Sequence, residues 1–127
     1  MRRSIVPYIR LSVTQKLTQE KQQELVDGLG EAMSKIPGKD GRLLIVDVED
    51  GRTIYFGGVK QDDMVFADVH YYSKFEYHKK RDFTVAAFDA VNRIIGTQKD
   101  KMCLTITEHT NWGAVGDFRD EYYSDQQ

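Results

Sequence analysis

Pro7 is the residue with the most chemistry open to it, because one atom decides what it can do. It lies in the run Ile5–Val13, I-V-P-Y-I-R-L-S-V. Inside a chain its nitrogen is an amide with no usable lone pair. At a free amino terminus it is a secondary amine. An α-amino group titrates at about 7.7–8.0 in water, and an apolar setting beside a cation disfavours its charged form, so a freed Pro7 would be neutral near pH 7. Such an amine is a general base suited to a proton α to a carbonyl. As written, Met1–Val6 precede it.

The other reactive side chains read more blandly. Lys39, in the turn Gly38-Lys39-Asp40, is by default a solvated surface lysine. His70, His78 and His109 are far apart, and no pair shows the i, i+4 spacing with an acidic partner that zinc hydrolases use, so no metal is expected. His70 alternates with core positions and should face solvent or a subunit interface. His78-Lys79-Lys80-Arg81 reads as the exposed first turn of a helix. Cys103 sits in a strand without an activating partner and reads as a small packed side chain. Tyr71, Tyr72, Phe75 and Tyr77 could stack bases, but interior or interface packing fits their setting better.

The totals narrow the classes. At 127 residues with 40% apolar composition the chain suits one domain with its own core. A net charge of −2 provides no field to collect phosphate backbones or anionic membranes, so neither nucleic acid nor membrane is an expected partner. One cysteine precludes an internal disulfide, and a cytoplasmic location is expected. The apolar stretch after Arg2-Arg3 is broken by Pro7 and Arg10, which argues against a targeting segment.

The elements that must position these residues follow from periodicity. Pro7, Ile9, Leu11 and Val13 alternate with polar neighbours, the pattern of a half-buried strand that a proline can open. Thr18 caps a helix whose apolar face is Leu25, Leu29, Ala32, Met33 and Ile36, ending at Pro37-Gly38; Gly28 and Gly30 inside it fit either a close backbone approach or plain tolerance. Leu43–Val48 is almost continuously apolar and predicts a central strand covered on both faces. A short strand over Arg52–Phe56 is broken by Gly57-Gly58, and Val65–Tyr72 alternates again. Thr84, Ala87, Phe88, Val91 and Ile95 mark a second helix over Tyr77–Ile95, closed by Gly96. Met102, Leu104 and Ile106 mark the last strand; a loop from His109 to Asp117 and a polar, fraying tail complete the chain. The expectation is an α/β (α+β) fold of two β-α-β units forming one sheet with two helices on one face. A ferredoxin-like module, which would suit a ligand- or RNA-binding monomer, and a tautomerase-like domain share this element order, and periodicity does not separate them.

An ordered set of residues does. Pro7-Tyr8-Ile9, Leu17-Thr18, Pro37-Gly38-Lys39, Glu49-Asp50-Gly51, Tyr55-Phe56-Gly57-Gly58 and Asn111-Trp112-Gly113 together resemble the tautomerase superfamily, in its macrophage migration inhibitory factor-like, bacterial-type branch. The likeness runs from Pro7 to about Phe118. It implies a domain over 7–118, a leader over 1–6 and a polar tail over 119–127. It implies a homotrimer that ketonises and enolises small α-keto or enol carboxylic acids such as phenylpyruvate, with no cofactor and no metal. In that likeness Pro7 is the catalytic amino-terminal proline, Lys39 meets the substrate carboxylate, and the Tyr72 backbone N–H helps bind it; Tyr8 and Phe118 line the pocket. Lys39 would act as a point charge, and strand-end N–H groups would stabilise the enolate. Cys103, Thr105 and Ala114 depart from the pattern at positions that bear on substrate choice. The internal position of Pro7 departs from it more seriously. GTG at Val6 would be an alternative bacterial start, and AGGAGG at Arg2-Arg3 a ribosome-binding sequence, so Met1–Val6 is expected to be an artefact of start-site choice. If Val6 is internal instead, the implied protein is a non-catalytic trimeric binding or signalling domain.

Overall fold

In the computed structural model the chain is described over residues 6–39 and 41–123. Strand β1 (Tyr8–Val13) leads through helix α1 (Gln19–Met33) to β2 (Ile45–Glu49). A small hairpin, β3 (Tyr55–Phe56) and β4 (Val59–Lys60), precedes β5 (Val65–Tyr72), α2 (Tyr77–Ile95) and β6 (Met102–His109). A second hairpin, β7 (Asn111–Ala114) and β8 (Asp117–Asp120), follows. The four long strands form one sheet in the order β2-β1-β5-β6. Each β-α-β unit contributes a parallel pair, and the units join through antiparallel β1 and β5.

Strand alternation sorts the sheet into two faces. Ile9, Leu11, Val13, Val65, Ala67, Val69 and Tyr71 are buried in one core with Leu25, Leu29, Met33, Phe83, Ala87 and Val91 of the helices. At about 25 cal/mol per Å² this contact is the main source of stability. Thr18 caps α1, its hydroxyl accepting the Lys21 N–H at 3.1 Å, and Glu76 caps α2 through the Lys79 N–H at 2.9 Å. Gly96, at φ 78°, closes α2 in the left-handed conformation the sequence suggested.

Several expectations need correction. Leu43–Val48 is not a central strand: β2 begins at Ile45, lies at the sheet edge, and leaves Ile45 53% exposed. Its outer edge pairs with no other strand among the described residues. Helix α1 stops at Met33, short of Pro37-Gly38; Pro37 disfavours helical backbone at Ile36, and i→i+3 bonds from Ser34, Lys35 and Ile36 wind the chain into a tighter turn. The core face of α2 is Phe83, Ala87, Ala90, Val91 and Ile94, with Thr84, Phe88 and Ile95 only half-buried at its margin. The strand over Arg52–Phe56 shortens to Tyr55–Phe56, and the loop after His109 is the β7-β8 hairpin. Cys103 is exposed on the helix-free face. Residues 1–5 of the expected leader, Asp40 of the expected turn and residues 124–127 of the expected tail lie outside the described residues.

Candidate active site

Pro7 stands at the mouth of β1, fully buried, with its carbonyl accepting the Ile45 N–H at 2.9 Å. The β1-β5 register pairs Tyr8 with His70; continued by one residue, it sets Pro7 opposite Tyr71. Both belong to the helix-facing side of the sheet by strand alternation.

Lys39 is brought to Tyr71 by the turn after α1. Its N–H bonds the Ile36 carbonyl at 3.1 Å, and Gly41 then packs against Gly30 of α1 so closely that a Cβ at 41 would lie 2.2 Å from the Gly30 oxygen. A close approach at Gly30 is therefore present, and it seats the turn. Lys39 is not solvated: it is 5% exposed. Its ammonium donates to the Tyr72 carbonyl at 2.9 Å and lies 5.1 Å from the Tyr71 ring centroid and 5.2 Å from that of Phe75. The two rings meet edge to face at 77°. Burial pushes the amine down to about 8, partly opposed by the negative charge of Glu108. A cation so placed, short of water, would gain more from an incoming carboxylate than an exposed lysine would.

Glu108 forms the second layer. One carboxylate oxygen accepts the Tyr71 hydroxyl at 3.0 Å and the Phe75 N–H at 2.9 Å, and the other meets the Lys80 ammonium at 3.3 Å. Burial and then this carboxylate hold the Tyr71 phenol protonated well above its ordinary range. The sequence carried a faint signal for Glu108, as the acidic residue at a position where Met102, Leu104 and Ile106 predict an apolar one. Ser73, at φ 83°, turns the backbone just past Tyr72, a left-handed conformation for a non-glycine residue immediately beside the Lys39 contact.

The remaining predicted residues separate. Pro7, Lys39 and the Tyr72 backbone share one end of the sheet. The Tyr72 ring is buried on the opposite face, under the Arg119 guanidinium at 5.9 Å. Tyr8 also lies on the helix-free face, its hydroxyl donating to Asp47 at 2.9 Å. Phe118 is 60% exposed on the β7-β8 hairpin. On the same helix-free face the structure joins two histidines that the sequence left apart: His70 Nδ1 and His109 Nε2 are 2.9 Å apart, and His70 Nε2 meets Asp68 at 2.9 Å. Trp112 completes this cluster against the His109 ring at 5.2 Å. Among the described residues no group of three or more His, Cys, Asp and Glu side chains could hold a metal ion.

No protein-family model matches the chain, and no curated protein matches it by sequence. Solved structures do match it. Leishmania major MIF2 superposes with a TM-score of 0.81 at 17% identity, over 91% of this chain and 98% of that one. Pt0534 inactivated by 2-oxo-3-pentynoate superposes at 0.80 and 14% identity, over 92% and 99%. A fused 4-OT wild-type asymmetric trimer superposes at 0.76 and 13% identity, over 87% and 94%. At such identities the likeness is one of backbone, and it chooses between the two architectures that periodicity left open: the chain has the tautomerase fold of macrophage migration inhibitory factor and 4-OT.

Proposed function

We propose that this protein is a cofactor-independent keto–enol tautomerase, phenylpyruvate tautomerase-like in its substrates, in which Pro7 acts from a free amino terminus. The observation that carries this reading is the buried Lys39 ammonium, set in an aromatic cage whose Tyr71 lies opposite Pro7 in the continued strand register. Lys39 anchors the substrate carboxylate. The Pro7 lone pair takes the proton α to the keto group, the C–H electrons become the enol double bond, and the carbonyl oxygen gains the negative charge. Protonated Pro7 then returns its proton to the enolate oxygen, and the reverse path restores the ketone. Tyr72 assists through its backbone N–H. The 2-oxo acid that inactivated Pt0534 supports the substrate class.

The working unit is a homotrimer. The exposed apolar side chains of Ile45 on the edge strand, of Tyr55, Phe56 and Val59 on the first hairpin and of Phe66 on the helix-free face of β5 support this, as does the trimeric 4-OT neighbour. Tyr8 and Phe118 complete pockets between subunits. A lone, exposed Cys103 supports a reducing, cytoplasmic setting. A second reading, a non-catalytic trimeric binding domain, is favoured by Val6, which is 5% exposed beside a fully buried Pro7. Intact mass of the protein from its native gene separates the two by identifying its first residue. On a chain beginning at Pro7, phenylpyruvate tautomerisation followed by ultraviolet absorbance should fall about 10²–10⁴-fold in Pro7→Ala. Undiminished turnover in that variant would refute the role of Pro7.

A further inference from the structure

We propose that Glu108 is the positioning residue of the Lys39 site: it fixes the aromatic floor under the ammonium and supplies the countercharge that keeps the site an anion receptor. This deepens the tautomerase reading and rests on it for the identity of the anion, though not for the electrostatics.

Glu108 is the cross-strand partner of Tyr71 in the β5-β6 register, on the face of the sheet that otherwise presents Met102, Leu104 and Ile106 to the core. An acid at that position is costly unless it is hydrogen-bonded. It has three donors from three places: the Tyr71 hydroxyl on β5, the Phe75 backbone N–H in the turn after β5, and the Lys80 ammonium on α2. Tyr71 and Phe75 are the two rings that face Lys39. One carboxylate thus holds both walls of the cage. Its negative charge also acts on the Lys39 ammonium.

The charges around Lys39 make the carboxylate necessary. Tyr71 is held neutral. Lys80 is a cation bound to Glu108, and the Arg119 guanidinium lies over the Tyr72 ring. Pro7, once freed, adds an amine that can also become positive. Glu108 is the acid that opposes burial at Lys39. Without it, two aromatic faces and one carbonyl would be left to hold a desolvated ammonium among other cations, and the amine would lose its proton at lower pH. A neutral lysine cannot anchor a carboxylate. The pH range over which the site takes anions is therefore set from the second layer.

Nitrogen-15 NMR of the lysine side chains, with Lys39 assigned by its loss in Lys39→Met, tests this on the full chain without reference to catalysis. In Glu108→Gln, which keeps the shape and one acceptor, the Lys39 midpoint should fall by about half a pH unit or more. In Lys80→Met, on the more exposed rim, it should rise, because Glu108 loses its competing cation. Opposite shifts are a result that a merely structural role does not produce. If Glu108→Gln misfolds, Glu108→Asp, which keeps the charge but draws it back from the Tyr71 hydroxyl and the Phe75 N–H, should also lower the midpoint, and an unchanged midpoint in that folded variant would overturn the proposal. An unchanged midpoint in folded Glu108→Gln, or a downward one in Lys80→Met, would overturn the proposal. Absence of tautomerase activity would instead count against the function while leaving these shifts in place.

Discussion

Replacing Lys39 by methionine should change how stability depends on pH, in a direction opposite to that of most ion-paired lysines. In the folded chain the amine titrates near 8, against 10.5 for the free side chain, chiefly because burial disfavours its charge. Between those values the unfolded chain binds the proton and the folded chain does not, so wild-type stability rises with pH across the window. Below it the full penalty of burying the charge is present; above it none remains. At 1.36 kcal/mol per pH unit the whole interval corresponds to roughly 3 kcal/mol. Between about pH 7 and pH 10 the expected gain of wild type relative to Lys39→Met is about 2 kcal/mol, after allowing for polar neighbours. Methionine keeps the length of the side chain and packs well against Tyr71 and Phe75, so the comparison removes a charge more than it makes a hole. Urea unfolding of both proteins, at one protein concentration and at both pH values, measures the difference, and every other titrating group cancels in the subtraction. A gap that does not change between the two pH values, or that moves against wild type as pH rises, would show that the buried ammonium is not destabilised and would remove the basis for the anion affinity proposed for it.

Two further outcomes test how the two ends of the sheet are held. Gly41→Ala puts a Cβ 2.2 Å from the Gly30 carbonyl oxygen and should cost about 2–4 kcal/mol by denaturant midpoint. The comparison is Gly38→Ala, which meets nothing within 4 Å and bears only the strain of φ +77°, about 1 kcal/mol. Thr97 is fully buried and donates to Asp63 at 2.7 Å, where Gln15 also donates at 3.0 Å and ties the end of α2 to β1. Thr97→Val should therefore lower stability by about 1–2 kcal/mol, seen as a reduced Tm in a thermal melt.

Elements whose signal is local were legible in the sequence. Val65–Tyr72 alternates without interruption and folds as β5, and the second helix runs from Tyr77 to a left-handed Gly96 as its cap signals require. Thr18 caps α1 through its own hydroxyl. The ordered residues from Pro7 to Trp112 pointed to the architecture that backbone superposition then supplied. What misled was each case in which composition was asked to report a neighbour. The apolar run before Val48 looks alike in a central strand and in an edge strand awaiting a partner, because both expect cover. Cys103 looks apolar until its face of the sheet is known.

The site divides along the same line. That Pro7 opens a strand, and that a lysine follows the turn after α1, is written in the order of residues, since both depend on backbone preferences spanning a few positions. That Lys39 is buried between Tyr71 and Phe75, that Glu108 braces both rings, and that His70 and His109 meet depends on contacts between residues more than thirty positions apart in sequence. Charge behaviour belongs to this second class. A lysine acquires an unusual affinity for its proton only when other segments exclude water from it, and it is the packing of the folded chain that brings those segments together.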